Sequence, residues 1–187
     1  MKHLLLTTIA AVVLVGCGKT QQSAPEPEAK PAEPPAAKVP DISIHDAAID
    51  GNIELVKQYL DAGGDVNTTD IARRTPLHWA VREGHKEIAE LLISEGADLN
   101  VNGPSKETPL VWAIDPPRPE MAELLITKGA DVNAKDDIFG TPLDSANALI
   151  QFQNAFSPAL SRSLKETAAL LRKHGGKTGE ELKAEGK

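Results

Sequence analysis

Thr75-Pro76-Leu77-His78-Trp79-Ala80 returns as Thr108-Pro109-Leu110-Val111-Trp112-Ala113, then as Thr141-Pro142-Leu143-Asp144-Ser145-Ala146. A blurred copy, Ile42-Ser43-Ile44-His45-Asp46-Ala47, comes first. Full copies start about 33 residues apart, a spacing that predicts a stack of small units, none able to bury its apolar face alone. Such a period leaves no room for an ordinary enzyme core over most of the chain.

Each unit reads as two short helices. Thr75 suits an N-cap, because its hydroxyl can accept from an orphan backbone N–H. Pro76 suits the first helical position, where a missing N–H costs nothing. Leu77, Ala80 and Val81 then share one face, and Gly84 ends the helix. Ile88, Leu91 and Leu92 form the stripe of a second helix, and Gly96 stands where a left-handed residue is needed. Ala47, Ala80, Ala113 and Ala146 allow neighbouring helices to approach closely. The units end Gly63-Gly64-Asp65-Val66-Asn67, Gly96-Ala97-Asp98-Leu99-Asn100, Gly129-Ala130-Asp131-Val132-Asn133 and, degraded, His174-Gly175-Gly176.

The repeated phrase, the Gly84-His85 turn and these endings resemble the ankyrin repeat over about residues 41–177. That resemblance implies an all-α solenoid of about four helix-turn-helix units joined by β-turn or hairpin loops. Repeats fall at about 41–70, 71–103, 104–136 and 137–177, the last with an insertion within 147–163. His78 and His45 occupy one position, where a histidine is expected to bridge backbone or Thr hydroxyls of adjacent loops. Val111 and Asp144 replace it later, so no ladder of ligands is required. His85, at the turn between helices, is also read as structural.

Several departures carry expectations. Ser43, Asp46 and Asp50 make repeat one polar, as an N-terminal cap should be. Asp115-Pro116-Pro117-Arg118-Pro119 should shorten the first helix of repeat three. Arg73 and Lys106 stand where a turn glycine is expected, and Gly140 comes one residue late. The insertion holds Phe152, Phe156 and Pro158. Either it lengthens the first helix and folds a loop over the C-terminal end as a cap, or the aromatic pair contributes to a partner site. Trp79 and Trp112 are read mainly as residues packed between repeats, with a hot-spot role as the alternative.

Residues 1–17 read as a targeting segment: Lys2, an apolar run from Leu4 to Val15, then Leu14-Val15-Gly16-Cys17. This ending resembles the bacterial lipobox, which implies cleavage before Cys17 and a diacylglycerol on its thiol. Cys17 is the only cysteine, so no intrachain disulfide is possible. Gly18, in place of the Asp of inner-membrane retention, implies the outer membrane facing the periplasm if the organism is Gram-negative. Residues 18–40 are a Pro/Ala/Glu-rich linker expected to be disordered, reaching up to about 70 Å at ~3.1 Å per residue. Residues 178–187 form a charged tail in which Thr178 and Glu181 suggest a capping box for a final short helix, the segment being a solvated C-terminal cap or a frayed end.

A net charge of −7 without a basic stripe disfavours nucleic acid. No P-loop, dinucleotide fingerprint, HExxH or Cys/His metal spacing occurs. Asp65, Asp98 and Asp131 recur with the repeat, which marks them as loop formers rather than acid/base pairs. No catalysis, cofactor or metal is expected. The resemblance implies a protein partner, expected to be another envelope protein, held on the concave face of tips and first helices, with the chain itself a monomer. The family's variable positions map to Ile71, Ala72, Arg74, Arg82 and Glu83, to Pro104, Ser105, Glu107, Asp115 and Pro116, and to Asp137 and Ile138. Ile71 and Ile138 are apolar residues at expected exposed tips, suited to anchoring a partner. Two alternatives share the chain: an inhibitor or immunity-type protein using the same groove, and a hydrolase built on His78 or His85 with Asp70 or Glu83.

Overall fold

A computed structural model describes residues 43–153 and 156–186. The segment read as a targeting signal, with Cys17, and the Pro-rich stretch read as a linker lie outside the described residues. Among those described there are nine helices and no strand: α1 (Ile44–Ile49), α2 (Ile53–Asp61), α3 (Pro76–Glu83), α4 (Lys86–Ser94), α5 (Pro109–Trp112), α6 (Pro119–Thr127), α7 (Pro142–Gln153), α8 (Pro158–Lys173) and α9 (Gly179–Ala184). The architecture is the all-α repeat stack the sequence predicts. First helices pack in file, α1 on α3, α3 on α5 and α5 on α7, while α2 meets α4 and α6 meets α8.

The core follows from the repeated phrase. Ala47, Ala80, Ala113 and Ala146 are buried in file with Leu77, Leu110 and Leu143. Val56, Ile88, Leu92, Leu125 and Leu171 supply the second-helix side. Burying each such side chain contributes roughly 1.5–3 kcal/mol. The small alanines let first helices approach, and the leucines fill the space between them. α3 stops at Gly84, whose φ of 84° closes the helix with an N–H to Ala80 O at 3.0 Å. A β-carbon there would also meet the Arg118 guanidinium, which would have to shift.

Repeat three shows how the stack absorbs substitutions. α5 has four residues against eight in α3, as the proline run predicts. The His85 ring donates from Nε2 to Ile49 O at 3.0 Å, tying repeat two to repeat one. Arg118 stands one copy later and does the same work, donating from Nε to Arg82 O at 2.6 Å. Loop tips behave likewise. Asp70 Oδ1 accepts from the Ala72 and Arg74 amides, and Asp136 Oδ1 accepts from Ile138, Phe139 and Gly140. Repeat three has Gly103 at that place. Glu107, from the far side of the same turn, supplies the carboxylate to Ser105 N at 2.6 Å. A side chain at Gly103 would press on Glu107.

In the segments that lead from the second helices to the tips, the recurrent Asp-x-Asn endings form a ladder. Asp65, Asp98 and Asp131 each accept from the amide two residues on. Asn67, Asn100 and Asn133 then accept from the amides of Asp98, Asp131 and Lys177 in the following unit. These aspartates are loop formers, as their spacing indicates.

The insertion lengthens the first helix of repeat four, as one of its two readings expects, to twelve residues in α7 against eight in α3. It lengthens the second helix as well, to sixteen residues in α8 against nine in α4. The charged tail caps the C-terminal end. Thr178 and Glu181 form the capping box that starts α9, and Leu182 is buried. Gly179 N donates to Asp144 Oδ2 at 2.8 Å, and Arg172 pairs with Glu181 at 2.6 Å.

Candidate protein-binding face

The face under test is built from loop tips and the first helices beside them. Each tip is held from within. Asp70 N donates to Arg74 O, Gly103 N to Glu107 O, and Asp136 N to Gly140 O, at 2.8–2.9 Å. Left-handed backbone falls on Arg73 (φ 62°) and Lys106 (φ 61°), where a turn glycine is expected. In the fourth tip it falls on Gly140 (φ 101°), one residue late. Adjacent tips are tied by Asp137 N to Ser105 O at 2.9 Å and by a Lys106–Asp137 ion pair at 2.8 Å.

Histidine fastens tip to helix. The Thr75 amide and hydroxyl both donate to His78 Nδ1, at 3.1 and 2.9 Å. Nε2 therefore carries the proton and donates to Glu107 O of the next repeat at 3.3 Å. Burial, opposed by the contact with Glu107, pushes the ring's pKa down to about 4. His45 repeats the arrangement with Ser43 and Thr68 O. A buried neutral imidazole with both nitrogens engaged is poorly placed to serve as a general base, and the hydrolase reading loses its main support.

Across the face runs an alternation of guanidinium and indole. The Arg74 Cζ lies 4.3 Å from the Trp79 ring centre, and the Arg82 Cζ lies 5.2 Å from that of Trp112. The two indoles meet edge to face at 5.5 Å, and His78 lies 5.4 Å from Trp112. Arg74 also pairs with Asp70 at 2.8 Å, and Trp79 Nε1 donates to the same carboxylate at 3.3 Å. Partial burial tends to raise the Asp70 pKa. Hydrogen bonds from Arg74 and Ala72, with the Arg74 charge, outweigh that and hold it below the usual carboxylate range.

The expected contact residues divide accordingly. Arg82, Glu107, Asp115 and Ile138 come together around one pocket of about 250 Å³, completed by Val111, Trp112, Asp136 and Phe139. Ile71 is fully exposed at the second tip, and Ile138 is 62% exposed at the fourth. Glu83, Pro104 and Asp137 are exposed outside that pocket, while Ala72 and Ser105 are half-buried. Pro116 borders a different, smaller cavity with Leu149 and Leu160. Arg74 is committed to Asp70 and Trp79. Trp79 and Trp112 are half-buried, packed against the core on one side and open to the face on the other. Phe139, 48% exposed, was not anticipated. Its signal was the displaced Gly140, which moves the left-handed residue past it.

Among the described residues, no group of three His, Cys, Asp or Glu could hold a metal ion. Residues 44–136 match the family described as ankyrin repeats (3 copies). No curated protein matches the chain. The match covers the first three repeats. Repeat four, with its lengthened helices and docked α9, continues the same packing beyond it.

Proposed function

We propose that this ankyrin-repeat chain is a non-catalytic protein-binding module, lipid-anchored through Cys17 on the extracytoplasmic side of a bacterial membrane. It takes a partner protein on the face of tips and first helices. One observation carries the reading. Ile71, Ile138 and Phe139 stand exposed along the tips, with the latter two beside a pocket that also exposes part of Trp112. A rigid face ordered by its own hydrogen bonds loses little freedom on association. An apolar side chain of the partner fits the Trp112–Ile138–Phe139 pocket, with Arg82 and Asp115 at its rim meeting polar neighbours.

The anchor rests on Leu14-Val15-Gly16-Cys17, and Gly18 supports the outer membrane in a Gram-negative cell. The partner is then another envelope protein. Affinity capture from solubilised envelopes, read by mass spectrometry, should recover one partner with the native chain and lose it with Ile71→Ser/Ile138→Ser. Equal recovery with that variant would remove the face. Mass analysis of the mature N-terminus should show acylated Cys17; an intact Met1 would remove the anchor.

A further inference from the structure

Apart from Ile71, Ile138 and Phe139, the large apolar side chains exposed among the described residues are Phe152, Phe156 and Leu160. All three lie at one end of the long α7–α8 hairpin, away from the tips. Phe152 and Phe156 stack on each other at 5.4 Å yet remain 64% and 74% exposed. Their mutual contact holds them together without hiding them. They line none of the pockets of the tip face.

Charge separates this end from the rest of the molecule. The chain carries 27 Asp and Glu and a net charge of −7. From Ser145 to Lys165, however, there is no acidic residue, while Arg162 and Lys165 are exposed on α8. Asp115 borders the flank of the hairpin where it meets the Pro116–Pro117 turn. The exposed Glu166, next to Lys165, ends the stretch.

We propose that the end of the α7–α8 hairpin is a second membrane contact. Phe152, Phe156 and Leu160 enter the interfacial region of an anionic bilayer, and Arg162 and Lys165 meet its phosphate headgroups. Phe and Leu are among the side chains that interfacial segments bury at that depth, and basic side chains lay their stems along apolar surface while the charge stays in water. Three apolar side chains and two cations make a weak, reversible contact. It suits a chain already held at the membrane, where it would orient the stack. The inference rests on the proposed membrane location but does not depend on acylation of Cys17.

Hydrogen exchange of the full chain, resolved by peptide, tests it with and without vesicles of phosphatidylethanolamine and phosphatidylglycerol. Peptide resolution separates the hairpin from any binding by the N-terminal apolar run. Amides of 147–153 and 156–164 should exchange about tenfold more slowly on the anionic vesicles. They should not slow on phosphatidylcholine. The protection should vanish in Phe152→Ser/Phe156→Ser, which removes only exposed side chains, and weaken in Arg162→Glu/Lys165→Glu. Unchanged exchange at the hairpin, with the chain on the vesicles or off them, would overturn the proposal. Equal protection on phosphatidylcholine would overturn it as well.

Discussion

His78, Val111 and Asp144 occupy one position in three successive repeats, and each answers a different neighbour. His78 accepts from Thr75 and donates to the carbonyl of Glu107 in the next tip. Asp144 accepts from Thr141 in its own repeat, and from the Gly179 amide of α9 where a further tip would stand. A carboxylate suits that place because the neighbour now offers an N–H rather than a carbonyl. Val111 can do neither, and the buried Thr108 Oγ1 is left without a partner. Thr108→Val should therefore be neutral or slightly stabilising, whereas Thr75→Val should cost about 1–2 kcal/mol in urea melts. Equal losses would contradict the pairing. The His78 pKa of about 4 has its own consequence. In the unfolded chain the ring binds its proton near the ordinary value of about 6.5. Between these values the unfolded state holds more protons, so stability is full above pH ~6.5 and falls as pH drops towards ~4, by at most about 3 kcal/mol. His78→Gln should flatten that part of the profile, although it is less stable at neutral pH. The sequence indicated the histidine bridge, since the phrase places His78 beside Thr75. Its failure in repeat three was not drawn from the Val111 substitution, because the loss shows only once Thr108 is known to be buried.

At the scale of elements, two segments depart from the repeat by using it differently. α9 stands where another unit would begin, held by Asp144, by Asn133 and by the burial of Leu182. Asp144→Ala should speed hydrogen exchange in 179–184 far more than in α3. Unaffected α9 amides would mean that Leu182 alone holds the helix. The tips tell a second story. Arg73 carries a left-handed backbone that a side chain strains, and its side chain makes no hydrogen bond or ion pair among the described residues. Arg73→Gly should raise stability by about 0.5–1 kcal/mol in thermal or urea unfolding, despite the added freedom of the unfolded chain. A loss would place a hidden role on that side chain. The missing glycines were visible in the sequence, but the strain was not, since a turn of another type was open to those residues. The insertion was visible as a break in period. A longer first helix was among its readings; the longer second helix was not, because a segment without the repeat offers no register to follow.

At the scale of the molecule, each unit is stabilised by its neighbours, and damage should spread to them. Leu110→Ala in the short central repeat should cost 2–5 kcal/mol, roughly the range for emptying a buried leucine site. It should also speed exchange in α3 and α7, which flank α5. The proposed face was partly legible for the same reason. Ile71 and Ile138 differ between copies at positions the stack does not need, so variation marked them. Trp112 repeats Trp79 and looks like packing, and half of each indole is packing. The central claim is that tips and first helices, not the outer second helices, receive the partner. Photocrosslinking in living cells tests it directly, with a photoreactive residue at Ile71, at Ile138, or at the exposed Glu87 and Glu90 of α4. The account predicts one discrete adduct from both tip positions and none from α4. Adducts from Glu87 or Glu90, with silence at Ile71 and Ile138, would contradict it.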